Sequence, residues 1–276
     1  MAYNEFSVAI SVYKNDNAQH FDRALYSITE AQTRKPNEIV LIVDGPISEE
    51  LNAVIHKYEK IFSSLRVIRL EQNGGLGNAL RLAVEQASYE LIARMDSDDV
   101  SMPTRFEEQL RFFEENDRLD IVGGNISEFI GEETNVVAYR NVPTSSDEIA
   151  AYMKKRCPLN HVSVMYKKSA VLQAGNYLDL FWNEDYYLWI RMAEQGCVMA
   201  NTGTVLVNVR TGEDMYKRRG GKKYFQSERF LQKYMLKKKM IGKFTYCENI
   251  AKRFIVQRLM PNCLRGWVFR TFARTK

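Results

Sequence analysis

Residues 89–101 read YELIARMDSDDVS, an apolar run of strand length that ends in three carboxylates, Asp96, Asp98 and Asp99. Burying one bare carboxylate is costly, and neighbouring carboxylates raise one another's cost. A strand that ends this way implies a fold whose strand ends meet a ligand. The helix beginning beside Pro103 accounts for one oxygen at most, with Asp99 or Ser101 as its candidate cap. Capping cannot use all three acids. A divalent cation would relieve the remainder, and Mg²⁺ or Mn²⁺ prefers oxygen ligands, completing its shell with phosphates.

The chain around this stretch alternates strand and helix patterns. FSVAISVY (6–13), NEIVLIVDG (37–45) and LRVIRL (65–70) are further strand-length apolar runs. Between them lie a helical face carrying Phe21, Leu25 and Ile28, then LNAVIHKYEKIF (51–62). LGNALRLAVEQA (76–87) places Leu76, Leu80, Ala83, Val84 and Ala87 on one helical face. Phe106, Leu110 and Phe113 line the helix after Pro103. Strands buried on both faces and separated by amphipathic helices predict an α/β fold with a Rossmann-like, mostly parallel sheet. In such sheets ligands bind outside the carboxyl ends of the strands, where Asp44, Asp96 and Asp98 fall.

Composition bounds the rest. The 276 residues are 45% hydrophobic with net charge +5, enough for one large domain, alone or with an appendage. No run of about 18 apolar residues predicts a spanning helix. The start, MAYNEFSVAISVY, enters a strand pattern at once and does not read as a secretory signal. Cys157, Cys197, Cys247 and Cys263 lack CxxC spacing and read as reduced thiols of a cytosolic protein. From Lys217 onward there are 18 Lys and Arg against Glu228 and Glu248, a charge of +16, whereas the preceding residues sum to −11. This contrast divides the chain into a body, 1–216, and a basic extension, 217–276.

SVYKND (11–16), IVDG (42–45), NGGLGNALRLAVEQA (73–87) and ARMDSDDVSMPTRFEEQ (93–109) together resemble the family 2 glycosyltransferases of bacterial polysaccharide, O-antigen and capsule synthesis, with DSD as their DxD motif. The resemblance runs over roughly residues 6–210. It implies a GT-A fold, a nucleotide-sugar donor (a UDP-sugar above all) and inversion at the anomeric carbon. It assigns Asp44 to the uracil N–H, Asp96 to ribose and metal, and Asp98 to the Mn²⁺ or Mg²⁺ that holds the diphosphate. Asn73 and Arg81 are expected to face the nucleotide. FWNEDYYLWIRMAEQG (181–196) resembles the family's ED motif, with Asp185 as the general base and Glu184 holding the acceptor or orienting the loop. Acids at a helix start also suit the helix dipole. In CPLNHVSVMYKKSAVLQAGNY (157–177), His161 is a candidate for diphosphate or acceptor, although Val162 stands where the family usually has proline. Trp182 and Trp189 are candidates for stacking on a sugar face, or for the core. Arg218 and Arg219, beside two glycines, are candidate clamps on the departing diphosphate.

Two other readings compete. A sugar nucleotidyltransferase shares a sheet of this kind but usually opens on a glycine-rich phosphate loop, and VAISVYKNDNAQHF has no glycine. A non-catalytic sugar-nucleotide-binding protein would be expected to lack Asp98 or Asp185.

Within 244–259, Cys247, Ile250, Ala251, Phe254, Ile255 and Leu259 fall on one helical face, with Lys252, Arg253 and Gln257 elsewhere. After Pro261, Leu264, Trp267, Val268 and Phe272 repeat the pattern among arginines. Basic amphipathic helices of this kind suit an anionic membrane surface. Packing on the body's acidic surface or against another subunit is the competing use. The expectation is a cytoplasmic protein, peripheral on the inner face of the cytoplasmic membrane, acting on a glycan or lipid-linked glycan acceptor. An acidic body without a binding motif argues against nucleic acid.

Overall fold

The computed structural model describes residues 5–212, 221–260 and 274–275. Arg218 and Arg219 lie outside these residues, as does the second amphipathic stretch after Pro261.

The alternation expected from the sequence is present: β1 (Phe6–Val12), α1 (Ala18–Ile28), β2 (Glu38–Val43), α2 (Glu49–Ile61), β3 (Leu65–Arg69), α3 (Leu76–Gln86), β4 (Leu91–Met95). There follow β5 (Val100–Ser101), α4 (Arg105–Glu115), β6 (Leu119–Phe129), β7 (Val136–Arg140), α5 (Ser146–Met153) and a 3₁₀ turn at His161–Ser163. The remainder is β8 (Met165–Lys167), α6 (Lys168–Gln173), α7 (Glu184–Glu194), β9 (Val198–Arg210), α8 (Lys222–Lys237), α9 (Lys243–Phe254) and a π turn at Ile255–Leu259.

Among the described residues the strands form one sheet in the order β3-β2-β1-β4-β8-β6-β9-β5, with β7 paired to β6. β1 lies parallel to both β2 and β4, and β3 parallel to β2. β8 runs antiparallel between β4 and β6, and β5 antiparallel to β9. Alternate residues of β1 feed two cores. Phe6, Val8, Ile10 and Val12 pack with Phe21, Leu25, Phe106 and Phe113. Ala9 packs on the opposite face with Leu80, Val84, Trp189 and Met192. β3 departs from the expectation of strands buried on both faces: it is the edge, and its side chains are half-buried or exposed.

The basic extension is not a detached appendage. Leu231 and Met235 of α8, and Ile241 beyond it, belong to the same core as Trp189. Farther on, Arg274 pairs with Glu128 in a buried ion pair, and Thr275 bridges Tyr139 through backbone hydrogen bonds of 2.8 and 3.0 Å.

α9 is turned the opposite way from an ordinary surface helix. Asn249 is buried, donating to the Lys154 carbonyl and to Gln232 Oε1, both at 2.8 Å. Arg253 pairs inward with Glu228, and Gln257 is buried. The face expected to be apolar looks outward, with Phe244 83% and Leu259 64% exposed and Cys247, Ala251, Phe254 and Ile255 exposed between them.

Candidate active site

The carboxyl ends of β1, β2 and β4 are neighbours, so the loops after them converge. Asp16 follows β1, Asp44 follows β2, and Asp96, Ser97 and Asp98 follow β4. This is the strand-end crevice that the sequence pattern predicted.

Asp44 organises the glycine turn. Its carboxylate accepts the Gly74 amide at 2.7 Å, the Gly75 amide at 3.0 Å and the Asn73 side-chain amide at 2.9 Å. The approach depends on two glycines. Gly45 has φ +86°, and a Cβ there would lie 2.7 Å from the Asn73 nitrogen. Gly75 has φ +84° and stands at the N-cap of α3 without a capping side chain. Asn73 thus braces Asp44, and Arg81 pairs along the exposed surface of α3 with Glu85 and Asn78 at 3.0 Å each.

The acidic cluster is compensated unevenly. Arg94 reaches Asp96 with both terminal nitrogens, one bond measuring 2.6 Å, from a position only 2% exposed. Burial is the largest single influence and opposes the Arg94 charge, but Asp96, Tyr177 and Asp99 together outweigh it and the pKa is raised. Asp99 is buried and accepts the Arg210 backbone amide at 2.8 Å. Burial and the charges of Asp98 and Asp96 hold it well above the ordinary aspartate range. Asp99 therefore joins β9 to the cluster and does not cap a helix. Ser101 also does not cap: its hydroxyl faces Gln32, and the N-cap of α4 is Thr104. Asp16 accepts Ser97 Oγ at 2.8 Å and the Tyr13 amide at 3.0 Å, with its pKa raised by burial and, to a lesser degree, by Asp96.

Asp98 differs from the other three. Its side chain is exposed at the rim and takes no hydrogen bond from another described residue. The protein mass around it, then Asp96 and Asp16, push its pKa up to about 6. The negative charge left over in the crevice is therefore concentrated at Asp98, whose hard oxygen donors suit Mg²⁺ or Mn²⁺. Among the described residues no three acidic, histidine or cysteine side chains converge on a single metal position.

The second acidic pair opens α7, as the sequence predicted. Glu184 lies over the start of α3, since a Cβ at Gly77 would sit 3.7 Å from Glu184 Cβ. The first turn of α3 and the ED pair, 107 residues apart in sequence at Gly77 and Glu184, thus lie side by side. Burial and the adjoining Asp185 push Glu184 to about 7. Burial raises Asp185 too, opposed by the Tyr186 amide at 2.6 Å and by the charges of Arg140 and Arg94. A carboxylate so raised holds a proton more firmly, the property that a general base working near neutrality needs.

Asp185 stands on the wall of a cavity of about 600 Å³. Trp182 lies at its mouth, 50% exposed and with φ +57°, a left-handed backbone that a non-glycine residue seldom adopts. Trp189 is fully buried in the core. His161 is bonded through Nε2 to Tyr177 at 2.9 Å and set edge-on to Trp189. Burial, and then Arg94, keep its pKa well below the ordinary value, so the ring is neutral.

Sequence reasoning missed Asp16, Arg94 and Arg210. Asp16 lay inside SVYKND, and an arginine within the apolar run LIARM was a visible signal. Arg210 holds Asp99 through its backbone amide and the Asp98 carbonyl through its side chain, contacts across more than 100 residues that no local pattern reports.

Comparison with known proteins identifies the family. Residues 7–174 match the family model described as Glycosyl transferase family 2. The chain is 37% identical over 232 residues to the "Amylovoran biosynthesis glycosyltransferase AmsE" of Erwinia amylovora, covering 84% of this chain and 85% of that protein. It is 34% identical over 270 residues to the "UDP-Gal:alpha-D-GlcNAc-diphosphoundecaprenol beta-1,3-galactosyltransferase" of Escherichia coli, covering 98% and 97%. Among solved structures, S. aureus TarS 1–349 in complex with UDP-GlcNAc superposes with a TM-score of 0.64 at 17% identity, covering 91% of this chain and 72% of that one. That likeness establishes the GT-A fold. The nucleotidyltransferase and scaffold readings fall away: the chain belongs to glycosyl transferase family 2 and is a glycosyltransferase.

Proposed function

We propose that the protein is an inverting, divalent-metal-dependent transferase that moves a sugar from a UDP-sugar to a lipid-linked glycan in cell-surface polysaccharide synthesis. The observation that carries this reading is the presence of Asp98, exposed and without a hydrogen bond from another described residue, at the strand ends, together with a raised Asp185 on a cavity wall. Relatives named for amylovoran synthesis and for galactosyl transfer to a diphosphoundecaprenol acceptor support the substrate classes. TarS, solved with UDP-GlcNAc, supports the donor class.

In this mechanism Asp44 presents a carboxylate to the uracil imide, which a carboxylate acceptor can read. Asp98, with Asp96 held beside it by Arg94, would hold Mn²⁺ or Mg²⁺. The bound cation supplies charge neutralisation to the departing diphosphate. Asp185 takes the proton of the acceptor hydroxyl as it attacks the anomeric carbon from the face opposite the diphosphate. Glu184, at the boundary between the turn and the cavity, orients the acceptor. A single displacement inverts the anomeric configuration.

Attachment to the inner face of the cytoplasmic membrane is part of the same proposal. None of the described helices is long and apolar enough to cross a membrane. The outward apolar face of α9, flanked by Lys243, Lys252 and Arg258, has the form of an interfacial helix.

The test is a screen of UDP-sugars for UDP release and transfer, with Mn²⁺, Mg²⁺ or chelator, followed by NMR of the product. Transfer that survives chelation would refute metal dependence, and a product that keeps the donor's anomeric configuration would refute single displacement.

A further inference from the structure

The cavity beside Asp185 has a charge that the chemistry above does not use. Arg140, Lys155, Arg156, Lys252 and Arg253 line it, against the carboxylates of Asp185 and Glu228. Arg253 is already paired with Glu228, and Lys252 with Glu248. Arg140 donates to the Cys157 carbonyl at 2.8 Å, and among the described residues no carboxylate is bonded to it, although its charge reaches Asp185. Arg156 stacks on the Tyr152 ring at 5.8 Å, likewise without an acidic partner among the described residues. Its surroundings disfavour its charge, first through burial and then, after the opposing effect of Tyr152, through Arg140, Arg274 and Arg253. Lys155 is exposed, and among the described residues its side chain makes no ion pair, although its charge acts on Glu248.

Like-charged groups gathered in a concave, half-buried site are unfavourable unless an anion completes them. Arginine is the residue suited to gripping phosphate oxygens through two parallel bonds. The donor's diphosphate is not that anion, because Asp44, Asp96 and Asp98 do not line this cavity. Its position relative to α9 points the same way. Asn249, Arg253 and Gln257 form part of the wall, while the opposite side of the same helix carries the exposed apolar face.

We infer that this cavity is the subsite for the diphosphate of the acceptor. Arg140 and Arg156, assisted by Lys155, grip the phosphates of a glycosyl diphosphate lipid, and its sugar hydroxyl is delivered to Asp185. The inference rests on the lipid-linked acceptor proposed above and adds where that acceptor's charge is read. A volume of about 600 Å³ falls within the range of small-ligand sites.

Calorimetry on the full chain tests it, with UDP and Mn²⁺ present at saturation so that the donor site is filled. The probe is decyl diphosphate, with decyl glucoside and inorganic pyrophosphate as the other arms. Decyl diphosphate should bind at one saturable site, and Arg140→Gln and Arg156→Gln should each weaken it about tenfold, the value of one charged hydrogen bond. Arg156→Lys should retain most of the affinity, and UDP affinity should be equal in all variants. Unchanged decyl diphosphate binding in the glutamine variants would overturn the assignment, as would a matching loss of UDP affinity. Decyl glucoside binding as tightly would show that the cavity reads the alkyl chain. Pyrophosphate binding as tightly would make it a free-phosphate site, and either result sinks the acceptor subsite. A wild-type chain that binds decyl diphosphate but not UDP would break the donor reading while leaving the subsite in place.

Discussion

Arg94 donates to Asp96 at 2.6 Å from within the central strand of the sheet. The guanidinium also lies close enough to Glu184, Asp185 and Asp98 for its charge to lower their pKa values. One buried cation thus acts on the acids at the strand ends and on the Glu184–Asp185 pair alike. Because Arg94 is desolvated, Asp96 is as much a requirement of the core as of the site. Removing one partner of a fully buried pair costs about 3–5 kcal/mol; Asp96 is 32% exposed, so solvent reduces the cost here.

Asp98→Asn and Asp96→Asn should therefore behave differently. Asp98→Asn should abolish Mn²⁺-dependent UDP binding with unchanged or higher thermal stability, since it relieves repulsion from Asp96 and Asp16. Asp96→Asn should lower the melting temperature. Calorimetry and thermal denaturation measured on the same preparations separate the two effects, and equal destabilisation by both would contradict the division.

Asp185→Asn should keep donor affinity and slow transfer by about 10²–10⁴-fold, the usual contribution of a positioned base. The wild-type rate should climb with pH through about 7, where the Glu184–Asp185 pair loses its proton. Stability should run the other way. The folded pair holds a proton that the unfolded chain releases near the ordinary carboxylate range, so this pair's contribution falls as pH rises to about 7. Glu184→Gln should flatten that fall and move the rate's acid limb to lower pH, as read from paired pH-rate and pH-melting profiles.

Asp44→Ala removes the acceptor of three hydrogen bonds from the Asn73–Gly75 turn. Each hydrogen bond to a charged group contributes about 1.5–3 kcal/mol. UDP affinity should fall at least about tenfold with little change in kcat. A kcat loss larger than the loss in donor affinity would place Asp44 in the chemistry instead.

The two faces of α9 make opposite predictions. Replacing Phe244, Ile255 and Leu259 by serine should leave the melting temperature nearly unchanged and weaken sedimentation with anionic vesicles at low salt. Asn249→Leu should cost about 1–3 kcal/mol by leaving buried partners unsatisfied. If the triple variant pelleted like wild type, the stripe would not be the anchor.

The fold was largely legible because strand and helix periods leave a direct trace in the sequence: β1, β2, β4 and α3 fall within a few residues of their expected limits. The positions of Asp98 and Asp185 were legible because the first closes a strand-length apolar run and the second opens an amphipathic helix; the roles expected of them came from the family resemblance. The stabilising partners were not. Arg94 is hidden inside a strand, and the Arg210 amide reaches Asp99 across 111 residues. The separation of faces on α9 was readable from its period, but not which face turns inward. Burial there follows the hydrogen-bonding needs of Asn249 and Arg253 against hydrophobicity. The cationic cavity was equally hidden, since Arg140, Arg156 and Lys252 belong to three separate elements.

The bridge between Tyr139 and Thr275 bears on how copies of the chain avoid one another. β7 is paired on one side to β6, and its Val136, Val137 and Tyr139 are exposed. An unprotected strand edge of that composition is a template for adding a strand from another molecule. Thr275 occupies the Tyr139 register from within the same chain, and the buried Arg274–Glu128 pair pins it there. Cutting the chain before Arg274 would leave Glu128 buried without its cation and the edge open, so the shortened protein should self-associate through β7 even with its catalytic groups in place.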